Sequence, residues 1–91
     1  MSRVTWDPIK ASRNRARHGI SFIEAASVAR HVLARWEYDP DHSIAEDRFR
    51  VTGYSVYGRL LVVTVAEQRG TVRIISAWRA TKRERNDHEE G

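Results

Sequence analysis

The chain has 91 residues, no cysteine and a formal charge of +4, from 16 Lys and Arg against 12 Asp and Glu. A chain this short holds one small core, so we expect a single domain over residues 1–91 that gains stability from a partner. Without cysteine, disulfide frameworks, thiolate metal sites and cysteine nucleophiles are excluded. The longest apolar run, Leu60–Val63 with Thr64–Ala66, is too short to span a bilayer.

In chain order, Arg3–Trp6 reads as an opening strand. Asp7-Pro8 starts a helix, with a carboxylate at the N-cap and proline at the first helical position. It runs to about Arg17, and Gly19 suits the left-handed position after its end. Ser21 and Glu24 have capping-box spacing for a second helix, whose apolar residues Phe22, Ala25, Ala26, Val28 and Ala29 recur at helical period until near His31. Leu33–Tyr38 reads as a strand and Asp39-Pro40-Asp41 as a turn. Arg48–Val56 and Arg59–Ala66 form a hairpin pair around Tyr57-Gly58, and Gln68-Arg69-Gly70 turns into Thr71–Trp78. There Val72, Ile74, Ser76 and Trp78 alternate with Arg73, Ile75 and Ala77, placing the two sets on opposite faces. Thr81 and Glu84 form a second capping box before a short, charged C-terminal helix. The order β-α-α-β-β-β-β-α predicts an α+β domain: an antiparallel meander with helices over one face.

Charge is segregated. Lys10, Arg13, Arg15, Arg17 and His18 make one basic block, and Arg73, Arg79, Lys82, Arg83 and Arg85 another. Between them Glu37, Asp39, Asp41, Glu46 and Asp47 are acidic. Fourteen of the sixteen cations are Arg. Arginine binds phosphate bidentately and stacks on bases, though a GC-rich genome produces the same bias. The N-terminus MSRVTWDPIK has no apolar signal core, and we expect a soluble, cytoplasmic protein.

Several strings in register resemble the BrnT family of bacterial toxins. They are Trp6-Asp7-Pro8 with Lys10; Asn14 with Arg17-His18-Gly19-Ile20-Ser21-Phe22 and Glu24-Ala25; and Asp41-His42-Ser43 with Glu46 and Arg48. The series continues with Gly53-Tyr54-Ser55, Gly58-Arg59-Leu60-Leu61, Arg73-Ile74-Ile75-Ser76-Ala77 and Ala80-Thr81-Lys82-Arg83-Glu84-Arg85. The resemblance implies a RelE-like fold and ribonuclease activity that stops translation. It also implies neutralisation by a BrnA-type antitoxin, through which the complex reaches operator DNA. Two positions depart from the family pattern: Trp78 stands where the family commonly has Arg after Ile-Ile-Ser-Ala, and His88 where it often has Tyr. Arg79 is one residue along, and neighbours on a strand face opposite ways. It replaces the missing cation only if the strand has ended by Trp78.

RNA cleavage through the 2′-hydroxyl needs a base, an acid and cations around the phosphorane, and no metal. His18 is of a residue type that suits acid or base duty, or a favourable seat at a helix C-terminus. His42, Glu46 and Arg48 form a His–carboxylate–Arg group suited to general-base work, or a local ion pair that pins a loop. Arg59, Arg73, Arg79 and Arg83 are candidate phosphate clamps. Lys10, Arg13 and Arg17, at roughly helical spacing, and Lys82 with Arg83 are candidate RNA contacts; a solvated face is the equal alternative. Tyr54 and Tyr57 are placed to stack bases or to pack, and Trp6, Trp36 and Trp78 read as core or interface. Asp41, His42 and His31 match no metal-ligand spacing, so no cofactor is expected. A catalytically silent homologue that only binds its antitoxin is the competing reading. A DNA-binding protein is disfavoured for want of any helix-turn-helix pattern.

Overall fold

The computed structural model describes residues 3–90. The element order is β1 (Arg3–Trp6), α1 (Pro8–His18), α2 (Phe22–Ala29), β2 (Arg35–Tyr38), a 3₁₀ turn (Pro40–His42), β3 (Asp47–Tyr54), β4 (Leu60–Gln68), β5 (Thr71–Arg79) and α3 (Lys82–Glu90). Local signals set the helix ends as the sequence predicts. The Asp7 carboxylate accepts from Ile9 N at 2.8 Å, Ser21 Oγ accepts from Glu24 N at 3.1 Å, and Gly19 ends α1 at φ +71°. At α3 the box closes in both directions: Glu84 N donates to Thr81 Oγ1 at 3.1 Å and Thr81 N to Glu84 Oε1 at 2.8 Å.

The five strands lie in the order β1-β5-β4-β3-β2. β2 to β5 form the expected antiparallel meander. β1 adds to its far edge parallel to β5, with Val4 opposite Val72 and Trp6 opposite Ile74, so the sheet is mixed. A parallel neighbour needs a crossover, and the connection from β1 through both helices and the meander provides it.

The core lies between this sheet and the first two helices. Ile20, Phe22, Ala25, Ala26 and Val28 pack on Val51, Leu61, Val63, Val65, Val72, Ile74 and Ala77. Each large side chain so buried stabilises the fold by about 1.5–3 kcal/mol. Trp6 meets Phe22 edge to face at 6.3 Å. At Gly53 a Cβ would lie 3.3 Å from the Ala34 backbone, so a side chain there would have to push Ala34 back by a few tenths of an ångström, and glycine lets the two backbones pass close.

Two expectations are corrected. The alternation along β5 is not continuous: Thr64 pairs with Ser76 but Val65 with Ile74, so Ile75 is an extra residue. Such a bulge shifts the facing of everything after it. The inward set is therefore Val72, Ile74 and Ala77, and the outward set Arg73, Ser76 and Trp78. Nor do all helices share a face. α3 lies on the outer one, where Trp78 Nε1 donates to Glu84 at 3.1 Å and Tyr54 meets His88 at 6.1 Å. Leu60 and Val62, opposite Tyr54 and Trp78 in the ladders, are buried there outside the main core.

Candidate active site

The end of the outer face not covered by α3 carries a charged group. Arg48 on β3 stands opposite Ala66 on β4, Ala66 opposite Arg73 on β5, and Arg73 beside Thr5 on β1. Two strand spacings put Arg48 and Arg73 about 10 Å apart, with only a methyl group on the floor between them. Glu46, just before β3, bridges them: its Oε1 is 2.6 Å from Arg73 Nη2 and 3.7 Å from Arg48 Nη2. Thr5, Arg69 and Gln68 complete a cleft of about 440 Å³ around Glu46 and Arg73.

One rung along, Arg50, Thr64 and Ser76 line up across β3, β4 and β5, and the Thr64 and Ser76 hydroxyls are 2.5 Å apart. Arg50 and Ser76 were not singled out in the sequence. Arg50 was legible as the neighbour at i+2 of Arg48, whereas Ser76 reads as inward until the bulge is known.

Ser76 also lines a second groove, of about 260 Å³, between β5 and α1, with Lys10, Arg13, Asn14, Arg17 and His18. The helical stripe thus lies along the same strand as Arg73. His18 sits at the end of α1, 6.4 Å from the Trp78 ring.

The remaining candidates are elsewhere. His42 lies on the 3₁₀ turn with Nδ1 2.7 Å from Asp39 Oδ2. Its carboxylate partner is therefore Asp39, not the Glu46 expected from the sequence, although turn and strand are joined by Ser43 Oγ, which accepts from Arg48 N at 2.8 Å. Asp39 feels some burial, which raises its pKa, but the hydrogen bond and charge of His42 win and lower it. Lys82 and Arg83 stand exposed on the first turn of α3.

Arg59 and Arg79 form a different centre, on the helix side of the sheet. Arg79 is opposite inward-facing Leu61, and β5 continues through it. It therefore does not replace a cation at position 78. Arg59 makes a two-point pair with Glu24 of α2, Nε to Oε2 at 2.9 Å and Nη2 to Oε1. Ser55 Oγ donates to Glu24 Oε2 at 2.7 Å. The Arg59 hydrogen bond holds the Glu24 carboxyl below its usual range against the opposing effect of burial, with help from Ser55 and the charge of Arg79. This buried carboxylate occupies the Arg59 fork and bolts the β3–β4 turn to α2, so Arg59 is committed within the fold.

The chain as a whole resembles proteins of one family. Residues 6–84 match the family model described as ribonuclease toxin, BrnT, of type II toxin–antitoxin systems. The chain belongs to the BrnT toxin family. Among solved structures, the 1.1 Å crystal structure of the Brucella abortus ribonuclease toxin, BrnT, is similar, with a TM-score of 0.64 and 19% identity over 90% of this chain and 100% of that one. At that identity the likeness concerns the fold. No curated protein matches the chain by sequence. No helix among the described residues is long and apolar enough to cross a membrane. The BrnT family acts on RNA and is paired with an antitoxin, as its type II description implies.

Proposed function

We propose that this BrnT member is an endoribonuclease that cleaves RNA by attack of the 2′-hydroxyl on the adjacent phosphorus, acts in the cytoplasm and is neutralised by a BrnA-type antitoxin. The observation that carries the reading is the Glu46–Arg73–Arg48 group on an open sheet face, with a basic groove beside it. Arg73 and Arg48 hold the scissile phosphate and stabilise the phosphorane. As the phosphate takes over the Arg73 guanidinium, Glu46 is released to accept the 2′-hydroxyl proton. The O2′–P bond forms, the P–O5′ bond breaks, and His42, on the turn tied to Arg48 through Ser43, returns a proton to the leaving O5′, giving a 2′,3′-cyclic phosphate and a 5′-hydroxyl. Lys10, Arg13 and Arg17 carry the adjoining backbone. The antitoxin inhibits by covering this basic face and carries the operator contact.

One observation favours a silent, antitoxin-binding homologue instead. Position 78 presents an indole bonded to Glu84 on the outer face, and Arg79 faces the other way. Inducible expression of wild type, Arg73→Ala and Trp78→Arg, with growth and total RNA followed, separates the two. The ribonuclease reading expects arrest and RNA decay from wild type and neither from Arg73→Ala. Arrest from Trp78→Arg alone, with wild type harmless, establishes the silent homologue.

A further inference from the structure

Among the described residues, strand β2 is an edge of the sheet with no strand on its outer side, and exposed apolar side chains gather on and around it. Among the described residues, five of the ten exposed large hydrophobics, Val32, Leu33, Trp36, Tyr38 and Ile44, lie on or next to it. Exposed edges with apolar side chains invite another strand. We propose that β2 pairs with β2 of a second copy, joining two sheets across a twofold axis.

The backbone phase supports this. Asp39 N donates to Arg48 O at 2.9 Å, extending the register in which Tyr38 pairs with Phe49 and Glu37 with Arg50. Hydrogen-bonded pairs alternate along an antiparallel ladder. Arg35, Glu37 and Asp39 therefore turn their backbone groups toward β3, and Trp36 and Tyr38 turn theirs outward. A second β2 docked antiparallel with Trp36 opposite the partner's Trp36 makes a hydrogen-bonded pair at the axis.

The same register settles the charges. Arg35 falls opposite the partner's Glu37 and Glu37 opposite the partner's Arg35, in the positions where side chains approach most closely. A slip of one residue mismatches the backbone phase. A slip of two puts Glu37 against Glu37 or Arg35 against Arg35. One register alone satisfies both. Within one copy Arg35 is poorly used: its contact with Glu37 is 3.5 Å and its buried Nε has no partner. A twofold contact also duplicates every favourable pair.

The test is sedimentation velocity of the purified chain over a dilution series, with Arg35→Glu, Glu37→Arg and the double exchange. The proposal expects a reversible dimer. Each single variant weakens it by about tenfold, because symmetry swaps two attractive pairs for two repulsive ones. The double exchange restores it, which also shows that the substitutions leave the fold intact. Amide exchange at Trp36 and Tyr38 should slow as the dimer forms. A monomer at every concentration overturns the proposal, as does a dimer indifferent to the single reversals. Protection of those amides only when an antitoxin is bound overturns it too, and assigns the edge to that partner.

Discussion

One side-chain amide, that of Asn14, satisfies both backbone groups of Ala77: Oδ1 accepts from Ala77 N at 3.0 Å and Nδ2 donates to Ala77 O at 2.9 Å. β1 covers the edge of β5 only as far as Ile74, so Asn14 stands in for the next strand residue. Its Nδ2 also donates to Ile20 O at 3.0 Å, tying α1, the following turn and the sheet together. Stranding a buried backbone group costs about 1–3 kcal/mol. Asn14→Ala should therefore lower stability by about 2–4 kcal/mol, summed over the groups it leaves bare. Asn14→Asp should be comparably harmful, since a carboxylate cannot donate to either carbonyl. Urea unfolding measures both, and an unchanged midpoint would show that water replaces the amide.

Glu24 predicts how stability varies with pH. Its pKa is lowered in the folded chain by Arg59 first among the favourable partners. A carboxyl of this kind contributes stability that is complete above its unfolded pKa and disappears as pH falls through the folded value. Glu24→Gln should cost about 2 kcal/mol at neutral pH, less than for a fully buried pair because Arg59 is partly exposed. The gap to wild type should close as the solution becomes more acidic than the ordinary carboxylate range. Thermal unfolding of both proteins over a pH series checks this. A gap independent of pH would mean that shape, not charge, matters at Glu24.

Glu46 and Arg73 lie on an exposed face, so replacing them should leave the fold intact. Glu46→Gln should reduce cleavage of an RNA oligonucleotide by about 10²–10⁴-fold, the usual contribution of a positioned base. RNA affinity should hold or rise, because a negative charge is removed. Arg73→Ala should reduce cleavage by about 10²–10³-fold and weaken binding as well. Single-turnover kinetics with a separate binding titration distinguishes the two. Equal loss of affinity in both variants would remove Glu46 from the role of base.

The α1 groove is tested by salt. Each phosphate contact to single-stranded RNA contributes about 0.7 to the slope of log affinity against log salt. Replacing Lys10, Arg13 and Arg17 together by Ala should flatten that slope by about 2, with the fold unchanged because all three are exposed. If the slope is unmoved, the stripe is a solvated helix face.

Features built from neighbours along the chain are legible in the primary structure. The caps at Asp7, Ser21, Gly19 and Thr81 were legible because each joins residues two to four apart, and the meander because its turns are short. The motif strings likewise carry the resemblance to the BrnT family without reference to any contact. Groupings made across the chain depend on how the strands are ordered and paired. Glu46 meets Arg73 over 27 positions, Glu24 meets Arg59 over 35, and Asn14 meets Ala77 over 63. No period or spacing encodes which carboxylate an arginine will choose, because strand order and register set those distances. The extra residue at Ile75 shows this most sharply. Alternation alone placed Trp78 and Ser76 inward, and a single bulge in the pairing of β4 with β5 turned both to the outer face and sent Arg79 to the other.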